Sequence, residues 1–399
     1  VSKSPERSEL YERAFQQLIA EDKNISFHAE RGREFLYRPG QLLVAQADLD
    51  RVIAKLRENN VEARPADGFG GMARLILPNN LEDIPRIVRL LRDQRNWPNE
   101  RVPLVQPHHV VVGHGGNVMG NPGDRPRPTD PFNPPKADDR LSGIRVGVLD
   151  TGISSGAQLE HPDWFKDRFF KEPDDVDPAY TSGALFGLQG GHGTFVAGVI
   201  QSAACGVAFD PEVALDVNGF GDEERLVAKI AEMGKKRLDL LNLSLGCYTE
   251  DDVASEPLRN AINALPPETV VVASAGNRGD QRPSWPAAFC RVTAVAALAQ
   301  NSDGLIIPAC YSSFGHWVDA CAIGNRSSTY LKGEWKLPGE PGATPFALWA
   351  YWSGTSFAAP WVTGRIAATM AKDGLTAVQA RDKLLVNPEF HAGYGVFVK

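Results

Sequence analysis

Cysteine is scarce in this chain. Its 399 residues hold only 5, Cys205, Cys247, Cys290, Cys310 and Cys321, an odd number without compact spacing. That argues against a disulfide framework and makes most of them small buried apolar groups, with one bridge left open. Clustered metal-ligand spacings are also missing, so no metal and no cofactor are expected. No apolar run reaches the roughly 18–20 residues that a membrane-crossing helix needs, which argues against a membrane partner. Positive charge is not in excess either. Lys and Arg number 42 against 49 Asp and Glu, a net charge of −7 that argues against nucleic acid as a partner. An apolar leader is lacking too. Residues 1–34 are charged throughout, which leans toward a cytoplasmic protein with secretion as the alternative.

What is present suits two globular domains. Hydrophobic residues make up 43% and charged residues 23%, ordinary values for a packed protein. Residues 1–40 read as a charged helical arm, with Leu10, Phe15, Leu18 and Ile19 on one face. Residues 41–112 alternate between two periods: a strand at 42–45, a helix at 48–59, strands at 61–65 and 74–77, a helix after Asn80 as its cap, and an extended run at 102–112. The order β-α-β-β-α-β is that of a ferredoxin-like α+β unit. A glycine-rich and then proline-rich stretch at 113–140 reads as an exposed linker, and residues 141–399 as the larger domain.

Three glycine-bearing turns in that larger domain carry chemistry. Val148-Leu149-Asp150-Thr151-Gly152 ends an apolar run that reads as a buried parallel strand. A carboxylate at such a strand end stands where open α/β sheets place their ligands. Gly191-His192-Gly193-Thr194 opens a segment of small residues suited to a helix packed tightly on the sheet. Gly354-Thr355-Ser356-Phe357-Ala358-Ala359-Pro360 opens another, and a hydroxyl at a helix N-terminus is favoured as its oxygen gains charge. A serine hydroxyl needs a base in reach, and the base needs an orienting group. A fourth stretch, Val270-Val271-Val272-Ala273-Ser274-Ala275-Gly276-Asn277, ends an apolar strand in a glycine turn and an amide. Taken alone, Asn277 is as readily a turn or helix cap.

In their order Asp, His, Ser, these motifs resemble the subtilisin-like serine peptidases, or subtilases, from about Ile144 to the C-terminus. The resemblance implies a doubly wound parallel α/β sheet and a serine endopeptidase. Ser356 would attack, His192 would move the proton, Asp150 would orient His192, and Asn277 with the Ser356 backbone N–H would hold the oxyanion. It implies that Gly219, Phe220 and Gly221 pair with a peptide strand. Ser244, Leu245 and Gly246 would form one wall of the pocket for the residue before the cut, Ala275 and Gly276 another, and Ser284 its floor, open to a large apolar side chain. Arg278 would stand at the rim, where it could help an acidic side chain. Phe357 and Trp361 depart from the residues usual at those places.

The resemblance reaches the smaller domain as well, since subtilase propeptides share its strand and helix order. It then implies an intramolecular inhibitor whose segment 105–112 lies in the groove, with a processing bond near His114 and Gly115. An accessory module is the alternative, and for the whole chain a catalytically silent binding protein on the same fold. The acidic residues Glu172, Asp174, Asp175 and Asp177 could hold calcium. An aromatic-rich stretch at 324–352 reads as an irregular insertion beside the serine.

Overall fold

The computed structural model describes residues 5–78, 83–113, 125–169, 176–386 and 389–399. Apolar runs without alternation build the larger sheet. Its parallel strands lie in the order Ala208–Val213, Arg145–Asp150, Leu240–Leu243, Val270–Ser274, Val292–Gln300, Ala320–Ile323 and Gly395–Phe397, with Phe390–His391 antiparallel at the far edge. Strands buried on both faces favour such Val- and Leu-rich sequences. The chain leaves Arg145–Asp150 toward one neighbour first and the other later. The strand order therefore reverses beside Asp150, at the kind of crevice where α/β folds bind ligands. Two helices, His192–Ala203 and Thr355–Asp373, pack against each other and the sheet. A side chain on Gly364 would come within 2.6 Å of Ala203, so glycine there permits the close crossing.

The smaller domain is an antiparallel sheet in the order Val105–Gly113, Phe35–Ala45, Met72–Ile76, Arg64–Phe69. This is the strand order of a ferredoxin-like fold, and it bears out the expected α+β unit. Its first long strand, Phe35–Ala45, starts ahead of the strand expected at 42–45. Asn80 lies outside the described residues. The helix Ile84–Arg92 is capped by Asp83, whose carboxylate accepts from the Arg86 N–H. The N-terminal helix Pro5–Glu21 is joined to both domains. Phe15 and Ile19 enter the smaller core, while Ala14 packs into the larger one.

One feature corrects the sequence reading. Residues 324–352 are not irregular. Strands Asn325–Trp335 and Thr344–Ser353 form a long antiparallel hairpin. Its outer strand takes Arg127–Pro128 from the expected linker as a further strand, and the other pairs with Leu185–Phe186. All five cysteines are free, three of them buried. Among the described residues no helix is long and apolar enough to cross a membrane.

Candidate functional site

Asp150 stands at the end of its strand and His192 at the first position of its helix, both buried. His192 Nδ1 lies 2.7 Å from Asp150 Oδ1, which also accepts the Thr151 N–H. A carboxylate on Nδ1 fixes the imidazole in the tautomer that leaves Nε2 as the acceptor. The ring is held on its flanks by Trp352, edge-on at 5.4 Å, and Phe357 at 5.3 Å. Phe357 thus packs directly against the imidazole.

Ser356 sits in the first turn of Thr355–Asp373 and is buried. Its hydroxyl donates to the Ser244 carbonyl at 3.0 Å, and the Ser244 hydroxyl donates back to the Ser356 carbonyl at 2.9 Å. His192 Nε2 is buried without a hydrogen-bond partner among the described residues. The structure therefore joins Asp150 to His192 and holds Ser356 in another rotamer, on the Ser244 carbonyl. Asn277 follows the strand Val270–Ser274. Its Oδ1 accepts both the Thr355 N–H (3.0 Å) and the Thr355 hydroxyl (2.9 Å). With the carbonyl end pinned to Thr355, the amide NH2 is the end turned away from that turn.

The groove beside these residues holds a strand of the smaller domain. Val105–Gly113 runs antiparallel between Phe220–Asp222 and Leu245–Gly246, pairing Val112 with Phe220 and Gly246, Val111 with Gly221, and Gly113 with Leu245. The Gly113 N–H donates to the Gly219 carbonyl at 2.9 Å. Gln189 Nε2 donates to the Gly113 carbonyl at 2.9 Å. Val111 is fully buried among Ala214, Leu215, Leu226 and Leu245. Further along, Glu223 accepts from the His109 N–H, Gln106 and Ser255. Burial opposes its charge, but His109 and these donors hold the carboxyl below its ordinary value. His114 and Gly115 lie outside the described residues.

Ala275, Gly276 and Ser284 are brought together with a residue that sequence reasoning missed. A side chain on Gly276 would lie 3.6 Å from Ser284 Cβ, but only 2.6 Å from the Tyr248 hydroxyl. Tyr248 is buried, and its hydroxyl bonds with Ser313 Oγ. The Tyr248 hydroxyl thus adds a polar group beside Gly276. Arg278 is already engaged, with Glu34, just before the strand Phe35–Ala45, at 2.9 Å and Asp280 at 2.8 Å. Arg282 donates to the Glu34 carbonyl, and both guanidiniums lie over the Tyr248 ring.

The acidic run also reads differently here. Glu172, Asp174 and Asp175 lie outside the described residues. Asp177 is buried and faces three donors. Oδ2 accepts the Thr151 hydroxyl (2.7 Å) and the Gly191 N–H (2.8 Å), and Oδ1 accepts the Ala179 N–H (2.7 Å). Protein donors surround this carboxylate, which is not the setting of a calcium ligand. Instead it ties the turn after Asp150 to the turn before His192. Among the described residues no group of three or more His, Cys, Asp or Glu could hold a metal ion. Burial, with the nearby Asp150 charge, pushes Asp177 from the usual 3.8 up to about 7 against the pull of its three donors. The folded chain then binds this proton more tightly than the unfolded chain. Stability should fall as pH rises across that window, by at most about 1.4 kcal/mol per pH unit. Asp177→Asn should flatten that slope and, by facing an NH2 toward N–H donors, lower the unfolding midpoint. Thermal unfolding at several pH values between 4 and 8 measures both effects.

The hairpin 325–353 completes the support of His192. Ser328 and Thr329 donate to the carbonyls of Phe195 and Thr194, and Tyr330 to that of Gly190. These three bonds fasten the histidine helix and its preceding turn to the hairpin.

The chain is also similar in sequence and fold to known proteins. The chain is 32% identical over 269 residues to the "Thermophilic serine proteinase" of Bacillus sp. (strain AK1), a match covering 65% of this chain and 59% of that protein. It is 32% identical over 255 residues to "Subtilisin Savinase" of Lederbergia lenta, covering 61% of this chain and 82% of that one. A match to "Minor extracellular protease Epr" of Bacillus subtilis (strain 168) covers 35% of that protein, so the chain spans less than two thirds of some of its relatives. The crystal structure of fervidolysin from Fervidobacterium pennivorans superposes with a TM-score of 0.59 at 20% identity, over 95% of this chain and 63% of that one. At that identity the likeness is one of fold, and it extends over the smaller domain. A family model described as the subtilase family matches residues 142–393, and the chain belongs to the subtilase family.

Proposed function

We propose that this chain is a serine endopeptidase acting on peptides or proteins, restrained by its own N-terminal region. In this reading residues 1–40 are an arm, 41–112 an inhibitory and folding-assisting domain, 113–140 a linker and 141–399 the catalytic domain. Ser356 Oγ turns from the Ser244 carbonyl to His192 Nε2 and attacks the scissile carbonyl. Its proton passes to Nε2, and Asp150 stabilises the imidazolium. The Asn277 amide and the Ser356 N–H receive the oxyanion. The C–N bond then breaks, His192 protonates the leaving amine, and water hydrolyses the acyl-enzyme by the same route in reverse. The residues need no cofactor for this.

The observation that carries the restraint is the strand Val105–Gly113, bonded by its backbone to both sides of the groove. A peptide recognised as an added strand makes such bonds. A segment held there in cis competes with substrate at high effective concentration. The Glu34 contacts with Arg278 and Arg282 add a second tie, from the segment just before the strand Phe35–Ala45 to the pocket rim.

The test compares wild type and Ser356→Ala by intact mass after incubation, with fluorophosphonate labelling of both. A wild-type fragment starting near Gly115, absent from the variant, and a label on Ser356 are the expected results. Labelling with no cut and full activity would make the N-terminal region an accessory module. Silence toward the probe even after limited proteolysis would leave a binding protein on a subtilase fold.

A further inference from the structure

We infer, building on the peptidase reading, that the groove selects glycine at the second residue before the cleaved bond, and that Gln189 is the selector. The register identifies the position. Val112 faces Gly246 and Gly113 faces Leu245. A peptide in that register presents its next residue opposite Ser244, whose carbonyl lies 3.0 Å from the Ser356 hydroxyl. That next residue carries the carbonyl under attack, so Gly113 marks the residue before it.

There is no room for a side chain at this position. A Cβ on Gly113 would stand 2.0 Å from Gln189 Oε1, 3.0 Å from its Cδ and 3.1 Å from Leu215 Cδ1. An exposed glutamine would swing aside at little cost, but Gln189 is buried. Its Nε2 donates to the Gly113 carbonyl, and its Cδ lies 2.4 Å from where a Cβ on Gly219 would be. The side chain is thus sandwiched between two glycines, one in the bound strand and one in the groove wall. Its backbone is tied on both sides as well, with its N–H on the Val217 carbonyl and its C=O accepting the His192 N–H. A larger residue must drive the amide out of a closed slot, break its bond to the peptide and still meet Leu215. Backbone conformation does not explain the glycine, because Gly113 has no positive φ.

Two measurements test this, and the first does not depend on turnover. In the full chain carrying Ser356→Ala, Gly113→Ala should speed amide hydrogen exchange of residues 110–113 by about tenfold or more, the effect of losing one buried amide bond and its packing. Adding Gln189→Ala should return the exchange to within about threefold of the parent. Unchanged exchange in Gly113→Ala, or no rescue by Gln189→Ala, overturns the inference. The second uses the wild-type chain with the peptides Val-Val-Gly-His-Gly-Ser and Val-Val-Ala-His-Gly-Ser, cleavage being read by mass spectrometry. The glycine peptide should be cut about tenfold to hundredfold faster, and Gln189→Ala should compress that ratio to near one. Equal cleavage by wild type overturns the selection. If neither peptide is cut and Ser356 stays unlabelled, the peptidase reading fails, while the exchange result still decides whether Gln189 excludes a side chain.

Discussion

Replacing Ser356 with alanine is expected to lower kcat by about six orders of magnitude, with KM nearly unchanged. In the proposed mechanism its hydroxyl is the attacking atom, and the other hydroxyl of the turn, on Thr355, is held by Asn277 Oδ1. The fold should tolerate the change. The hydroxyl's hydrogen bond goes to the Ser244 carbonyl, and the reciprocal bond from Ser244 Oγ to the Ser356 carbonyl survives its loss. Stability should therefore move by about 1 kcal/mol or less. His192→Ala should be almost as severe, and the double variant should be no worse than either, because nucleophile and base act as one unit. Steady-state kinetics on a chromogenic peptide, together with thermal unfolding, measure both quantities. Residual turnover within a hundredfold of wild type would exclude Ser356 as the nucleophile. A collapse of the unfolding midpoint would mean that the hydroxyl is needed for the fold.

The architecture was readable where one kind of residue repeats. Val146, Val148 and Leu149, or Val270, Val271 and Val272, can only be buried strand, and the glycine turns that follow mark the ends of the sheet where Asp150 and Asn277 stand. The smaller domain was readable because its two helices and four strands change period cleanly. The contacts around the site were not. Asp177 belongs to an acidic run that looks solvated. Its N–H on the Ile153 carbonyl and its carboxylate on the Thr151 hydroxyl and the Gly191 N–H bring it to the Asp150 and His192 turns. Tyr248 lies just beyond a recognisable strand, yet its position against Gly276 depends on Ser313, far along the chain. The hairpin at 325–353 hides its strand period because a register shift between Thr329 and Lys332 breaks the alternation. Gln189 looks like an ordinary loop residue until Gly113 and Gly219 are placed on either side of it. In each case the missing information is a long-range contact, and local pattern cannot encode which distant residue fills a space.

Asn277→Ala should lower kcat by about 10² to 10³, equivalent to about 2.7–4 kcal/mol of transition-state stabilisation, and leave KM within a few fold. The side chain has two ends with two tasks. Oδ1 holds the Thr355 N–H and hydroxyl and so fixes the turn that carries Ser356. The NH2 end is the one proposed to meet the oxyanion, which carries full charge only after attack, so its loss affects kcat more than binding. Alanine removes both and leaves the buried Thr355 N–H unpaired, at a cost to stability of about 1–3 kcal/mol. Asn277→Asp separates the tasks. It keeps an acceptor for Thr355 but places an oxygen, not a donor, toward the developing charge. If donation to the oxyanion matters, the aspartate variant should be at least as slow as alanine while recovering part of the lost stability. If it recovers kcat as well, anchoring of the serine turn is the whole role of Asn277 and the oxyanion donor must be sought elsewhere. Measuring kcat, KM and the unfolding midpoint of both variants at a pH where the aspartate is ionised distinguishes the two, because only the donor role predicts that stability and turnover part company.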